Sequence, residues 1–253
     1  VNLAGSVAFV TGAGSGLGRS TAEALAARGA HVACFDRNAE AVQAVADAVD
    51  GIAVTGDVLD AAAVEAALAA TTARFGAPRI LVHCAGIGTA ARTVGRDGPL
   101  PLEEFERVVR VNLIGAFNVV RLVASGIAAL PPLDDGERGV IVLTASVAAF
   151  DGQLGQAAYA ASKGGIVSMT LPLAREFAQF GIRVLTIAPG FFATPLLATL
   201  PPAAVDSLVA SIPFPKRLGD PSEFASLVLT CCENRSLNGE TIRLDGALRL
   251  PPR

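Results

Sequence analysis

The chain has one tyrosine, two lysines and two histidines among its 253 residues. His31 and His83 are too few to build a zinc cluster, and Cys34, Cys84, Cys231 and Cys232 show no C-x-x-C spacing. Neither a metal centre nor a disulfide framework is expected, and the thiols read as small buried side chains. No apolar run reaches the roughly 18 residues that span a bilayer without a charge, Gly or Pro interrupting it. The net charge is −3 and the arginines are scattered, so a nucleic-acid surface is not the main business of the chain. Val1-Asn2-Leu3-Ala4-Gly5 lacks the basic start and apolar stretch of a secretory signal. A soluble, cytoplasmic protein without a membrane partner is the expectation.

With 52% hydrophobic and 17% charged residues, there is material for one large core, so residues 1–253 read as a single domain. Short apolar runs alternate with longer helical patterns. Strands are expected at Val7–Val10, His31–Phe35, Ile52–Thr55, Ile80–Val82, Val140–Leu143, Arg183–Ile187 and Thr241–Leu244. Helices are expected at Ser20–Arg28, from a cap at Asn38 towards Val49, at Asp60–Phe75, from Leu102 to about Leu130, and from near Tyr159 to near Gly181. Continuous β-branched strands between helices specify an α/β fold, a doubly wound parallel sheet of about seven strands covered on both faces.

Several residues carry chemistry. Thr11-Gly12-Ala13-Gly14-Ser15-Gly16-Leu17-Gly18 follows the first strand, where missing side chains let a backbone approach a pyrophosphate at a helix N-terminus. Tight turns also need glycine for their own sake. Asp36 ends the second strand, placed to bind the two ribose hydroxyls of an adenosine, or else to cap the following helix. Arg37 beside it could instead greet the extra phosphate of NADP; the carboxylate is weighed more heavily, in favour of NAD. Asp57-Val58 could hold an adenine amino group, or Asp57 could simply belong to the loop before Asp60. Ala85-Gly86 brings backbone close to the same region.

Tyr159 and Lys163 are four apart, so on a helix their side chains meet. A free phenol titrates near 10, and lowering it to neutrality asks for about 4 kcal/mol of differential stabilisation of the phenolate. A neighbouring ammonium acts in that direction; the alternative is an exposed polar pair. Ser146, after the fifth strand, can converge with Tyr159 on one carbonyl oxygen. Asn112, flanked by apolar residues, is either a satisfied core amide or part of a proton path.

Taken together, the Thr-Gly-x-x-x-Gly-x-Gly turn, Ala85-Gly86, Asn112, Ser146, Tyr159-x-x-x-Lys163 and Pro189-Gly190 resemble, in order and spacing, the short-chain dehydrogenase/reductase family over essentially the whole chain. The stretches Thr144–Phe150, Gly155–Tyr159, Ser162–Val167, Thr194–Leu197, Arg217–Pro221 and Ile242–Ala247 are similar to members that oxidise 3-hydroxyacyl-CoA and hydroxysteroids. The resemblance implies a single-domain Rossmann fold and NAD-dependent oxidation of a secondary alcohol to a ketone. It makes Tyr159 the acid/base and Lys163 its helper. Ser146 becomes the oxygen ligand and Asn112 the support of a water path. It implies cofactor contacts at Ser15, Leu17, Val58, Cys84, Pro189, Gly190, Phe192 and Thr194 beside the glycines, Asp36, Arg37, Tyr159 and Lys163. Substrate contacts fall on Gln153, Gln156, Phe191 and Leu196, under a lid at about 190–215 that could also be an ordinary connection. Arg92 and Arg96 could meet CoA phosphates or be solvated. Relatives are usually tetramers joined through the helices carrying Asn112 and Tyr159; a mitochondrial matrix location would follow for a eukaryotic chain.

Two departures stand out: His83 replaces an Asn of the family, which is expected to be structural, and Gly88–Pro101 differs where an acyl-CoA would enter. The alternatives are an NADPH-dependent 3-ketoacyl-carrier-protein reductase, or a non-catalytic scaffold for protein partners.

Overall fold

A computed structural model describes residues 1–96, 98–198 and 201–252, without the side chains of Leu196 and Ala198. The chain runs β1 (Val7–Thr11), α1 (Gly16–Ala27), β2 (His31–Asp36), α2 (Ala39–Ala48), β3 (Ile52–Thr55), α3 (Ala61–Phe75) and β4 (Ile80–His83). A small hairpin follows, β5 (Val94–Gly95) with β6 (Gly98–Pro99), then α4 (Leu102–Val109) and α5 (Gly115–Ala128). The second half holds β7 (Gly139–Thr144), α6 (Ala148–Asp151), α7 (Ala157–Phe177), β8 (Ile182–Pro189), α8 (Pro195–Ala198), α9 (Pro202–Ser211), α10 (Pro221–Glu233) and β9 (Thr241–Leu244).

The main sheet has seven strands in the order β3-β2-β1-β4-β7-β8-β9, all parallel. Alternate side chains of each strand feed two cores. Val10, Val32, Val82 and Val142 pack on one face with Leu25 of α1 and Phe224 of α10. Phe9, Phe35, Leu81 and Ile141 pack on the other with Val120 of α5 and Ile166 of α7. Each such fully buried side chain contributes about 1.5–3 kcal/mol, which is why the central strands tolerate no polar alternation.

The chain moves outwards from β1 to β3, then crosses back to β4 and continues the other way. The sheet therefore splays between the carboxyl ends of β1 and β4, the place where open α/β sheets take ligands. One expectation is corrected. The Gly-rich turn supplies the first turn of α1, so that helix begins at Gly16 rather than Ser20. The helix expected from Leu102 to about Leu130 is present as one helical run, Leu102–Ala128, with a π-turn at Arg110–Ile114. A Cβ on Gly115 would stand 2.6 Å from Val58 Cγ2, so the loop after β3 presses on the helix at that π-turn. Residues 88–101 carry the hairpin, which the Gly and Pro content did not announce. Among the described residues, Leu102–Ala128 is the one helix long and apolar enough to cross a membrane, and half of its most apolar window is buried inside the fold.

Candidate active site

At the switch point the glycines act by absence of a side chain. Gly12 has φ +66°, and a Cβ there would stand 2.7 Å from Ala85 N; a Cβ on Gly18 would strike the Gly12 carbonyl oxygen. The turn thereby folds against the end of β4. Helices α2, α3 and α10 are capped by the side chains of Asn38, Asp60 and Asp220. Helix α1 differs: Ser15 makes no side-chain cap and its first turn holds no acidic residue. Its N-terminus instead borders a cleft of about 310 Å³ lined by Gly12, Ser15, Gly16, Leu17 and Gly18. Uncapped N–H groups and the positive dipole end fit a pyrophosphate.

The cleft continues past Asp36, Arg37, Asp57 and Val58 and is closed by Cys84, Ala85, Gly86 and Thr194. Asp36 accepts from Gly14 N and from Asn38 N, each at 3.0 Å. A carboxylate has about four acceptor positions, so bracing the turn leaves capacity for two ribose hydroxyls. Asp57 accepts from Leu59 N at 2.9 Å, while Asp60 alone caps α3. Val58 is locked by Asn118, whose Nδ2 donates to its carbonyl oxygen at 2.8 Å.

A second cavity of about 450 Å³ shares Leu17, Cys84, Gly86, Ile87 and Thr194 with the cleft. Ser146, Gln156, Tyr159, Lys163, Pro189, Gly190, Phe191 and Phe192 lie on its walls. Gln153 does not: its amide is turned to the C-terminal segment, donating to Pro251 O at 3.2 Å. The side chain of Leu196 lies outside the described residues. Arg92 and Arg96 are exposed near the hairpin and line neither cavity.

Tyr159 and Lys163 lie one turn apart on α7, the ammonium 5.9 Å from the phenol ring centroid. Lys163 Nζ donates to Thr144 O at 2.8 Å. Burial raises the Tyr159 phenol above its usual 10, with the Ser146 hydroxyl pulling the other way, and burial takes Lys163 down to about 8. In the free protein, burial thus opposes the lowering of the phenol that is expected from Lys163. Both groups are withdrawn from water, which opposes either charge, and the ammonium is engaged by a carbonyl.

Asn112 is fully buried in the π-turn and lines neither cavity. Its Oδ1 accepts from Ile87 N at 2.8 Å, and its Nδ2 donates to Ile87 O at 2.9 Å and to Ser162 Oγ at 3.0 Å. His83 is structural: its Nδ1 is 2.9 Å from Thr11 Oγ1, tying β4 to β1. Sequence reasoning missed Phe35, Gly56 and Val111 in the cleft, and Thr89 and Leu250 at the second cavity. None belongs to a spaced motif.

A parallel sheet with an anion-binding turn at its switch point, opening onto a serine, a tyrosine and a lysine, defines a dinucleotide-dependent oxidoreductase. The chain belongs to the short chain dehydrogenase family, whose profile matches residues 6–204. It is 51% identical over 255 residues to the 3-hydroxyacyl-CoA dehydrogenase type-2 of Bos taurus, covering 99% of this chain and 98% of that protein. The protein of the same name from Drosophila melanogaster is 51% identical over 252 residues, covering 97% and 98%. The crystal structure of 3-hydroxyacyl-CoA dehydrogenase type-2 from Mycobacterium avium superposes with a TM-score of 0.95 at 43% identity, covering 98% of each chain. A nicotinamide cofactor goes with this family.

Proposed function

We propose that the protein oxidises a 3-hydroxyacyl-CoA to the 3-ketoacyl-CoA, reversibly, with NAD as the hydride acceptor. The observation that carries the reading is the junction of the two cavities, where Ser146, Tyr159 and Lys163 stand beside a cleft built for a dinucleotide. A bound nicotinamide supplies the hydride chemistry. The chain's own part is proton handling and charge. Tyr159 Oη takes the substrate's hydroxyl proton. Ser146 donates to the substrate oxygen as charge develops there. Lys163 favours the phenolate electrostatically. Asn112 holds the Ile87 backbone and Ser162 so that this set keeps its spacing.

Asp36 favours NAD, because a carboxylate that accepts ribose hydroxyls repels a 2′-phosphate. The second cavity, walled by Val147, Phe191, Phe192 and Leu197, suits an acyl chain, and the relatives named above carry the thioester in their names. Residues around 190–215 serve as its lid. A hydroxysteroid is a second substrate class compatible with those apolar walls. The exposed Ile114 and Phe117, beside Leu113 and Met169 of α7, favour a homotetramer assembled through these helices. The four cysteines are free, in keeping with a reducing compartment such as the cytoplasm.

The test is formation of reduced nicotinamide with each dinucleotide across a straight 3-hydroxyacyl-CoA, a branched one and a hydroxysteroid. Turnover of a thioester with NAD is expected. Strong NADPH preference with a ketoacyl carrier protein would point to the reductase, and inactivity on every secondary alcohol to a scaffold.

A further inference from the structure

We infer that the C-terminal segment Asp245–Pro252 sets the length of acyl chain the cavity accepts, with Leu250 as its specificity-determining residue. The inference rests on the acyl-CoA reading above and names the part of the site that would discriminate among such substrates.

Leu250 lines the cavity that holds Ser146 and Tyr159, although it lies far from them in sequence. Its neighbours form a third hydrophobic cluster, separate from the two cores of the sheet. Val147, Ile212 and Leu248 are its buried members, and Phe191 and Leu250 pack against them. The cluster joins three elements that border the substrate: the residue after Ser146, the lid, and the C-terminal segment.

The segment is fastened by polar contacts. Arg243, at the end of β9, donates to Asp245 at 2.7 Å, to Asp151 of α6 at 2.5 Å and to Leu248 O at 2.8 Å. Its guanidinium also lies 5.1 Å from the centroid of the Phe150 ring. Asp151 is held below the usual carboxylate range, chiefly by Arg243, and the backbone N–H of Leu250 contributes. Further along, Leu154 N donates to Pro252 O at 3.1 Å and Gln153 Nε2 to Pro251 O at 3.2 Å. The lid is tied to the same segment, Phe214 N donating to Gly246 O at 3.3 Å. A side chain fastened on both sides in the chain is a fixed wall rather than a mobile cover. A fixed apolar wall discriminates by volume, and one methylene of fit in such a pocket is worth roughly tenfold or more.

The experiment is a chain-length profile of kcat/KM on straight 3-hydroxyacyl-CoA thioesters of four to ten carbons for the full-length enzyme and two variants. Leu250→Ala is expected to raise the long-to-short ratio by about tenfold, and Leu250→Phe to lower it by a similar factor. Dissociation of reduced nicotinamide cofactor, unchanged within about twofold, marks both variants as folded. Parallel profiles for all three proteins, or ratios that move in the same direction, overturn the proposal. If the wild type turns over no thioester, it is the acyl-CoA reading that fails. The same variants are then profiled on straight 2-alkanols, with the same opposite shifts expected and the same two outcomes overturning the role of Leu250.

Discussion

Asn112 Nδ2 donates to Ser162 Oγ across 3.0 Å, and Ser162 Oγ in turn donates to the carbonyl oxygen of Tyr159 at 2.8 Å. The amide at the π-turn of one long helix is therefore linked, through one hydroxyl, to the backbone of Tyr159 on α7. The same amide satisfies both backbone groups of Ile87, which borders the two cavities. Replacing Asn112 by Ala takes the side-chain partner from the part-buried N–H and carbonyl of Ile87, at a cost of about 1 kcal/mol or more. Asn112→Ala is expected to lower the urea midpoint accordingly and to reduce kcat, whereas Ser162→Ala, which removes one link only, does less of each. Equal losses in both variants would contradict this ranking.

Tyr159 is the chain's one tyrosine, so phenolate absorbance reads it alone. In the free protein the titration midpoint is expected above 10, because burial outweighs the help of Ser146. A midpoint near neutrality without cofactor would show that Lys163 suffices. Tyr159→Phe is expected to lower kcat by about 10³-fold, the usual scale for a positioned acid/base, while dinucleotide binding persists.

Burial, with the Lys163 charge adding to it, pushes His83 down to about 3 from 6.5. Between those values the unfolded chain takes up a proton that the folded chain refuses. Stability present above pH 6.5 is therefore lost progressively as pH falls towards 3. From pH 7 to pH 5 the loss from this one group is about 2 kcal/mol. His83→Asn removes that titration while offering Thr11 a polar partner. Denaturant midpoints at the two pH values should fall further for the wild type than for the variant, and parallel falls would contradict the assignment.

The architecture was readable where periodicity and punctuation agree. Gly12 to Gly18, the caps at Asn38 and Asp60, and the runs of Val and Ile place the strands and the dinucleotide turn to within a residue or two. The π-turn around Asn112 left no local mark, because it is tied to the contact between Gly115 and Val58, which are far apart in sequence. Leu250 was invisible for the same reason: it reaches the cavity only after Arg243 folds the last residues onto α6. Spacing also identifies Lys163 as the neighbour of Tyr159 without saying how dry the pair is, and dryness decides the direction of both pKa values.

Asp36 offers the sharpest test of cofactor choice. Its two carboxylate oxygens already hold Gly14 N and Asn38 N, so a substitution disturbs the turn as well as any ribose contact. Loss of NAD affinity alone would therefore be ambiguous, and the ratio between the two dinucleotides is the informative quantity. Arg37 lines the same cleft and stands ready to meet a 2′-phosphate once the neighbouring negative charge is gone. For Asp36→Asn, which keeps an acceptor for the turn but drops the charge, the NAD-to-NADP ratio of kcat/KM is expected to fall about 10- to 100-fold, the scale of a hydrogen bond to a charged group. Arg37→Ala in the same background should restore discrimination in part, by removing the cation that would hold the phosphate. A ratio unmoved by Asp36→Asn would mean that the carboxylate serves the turn alone, and that the preference for one dinucleotide is set elsewhere in the cleft.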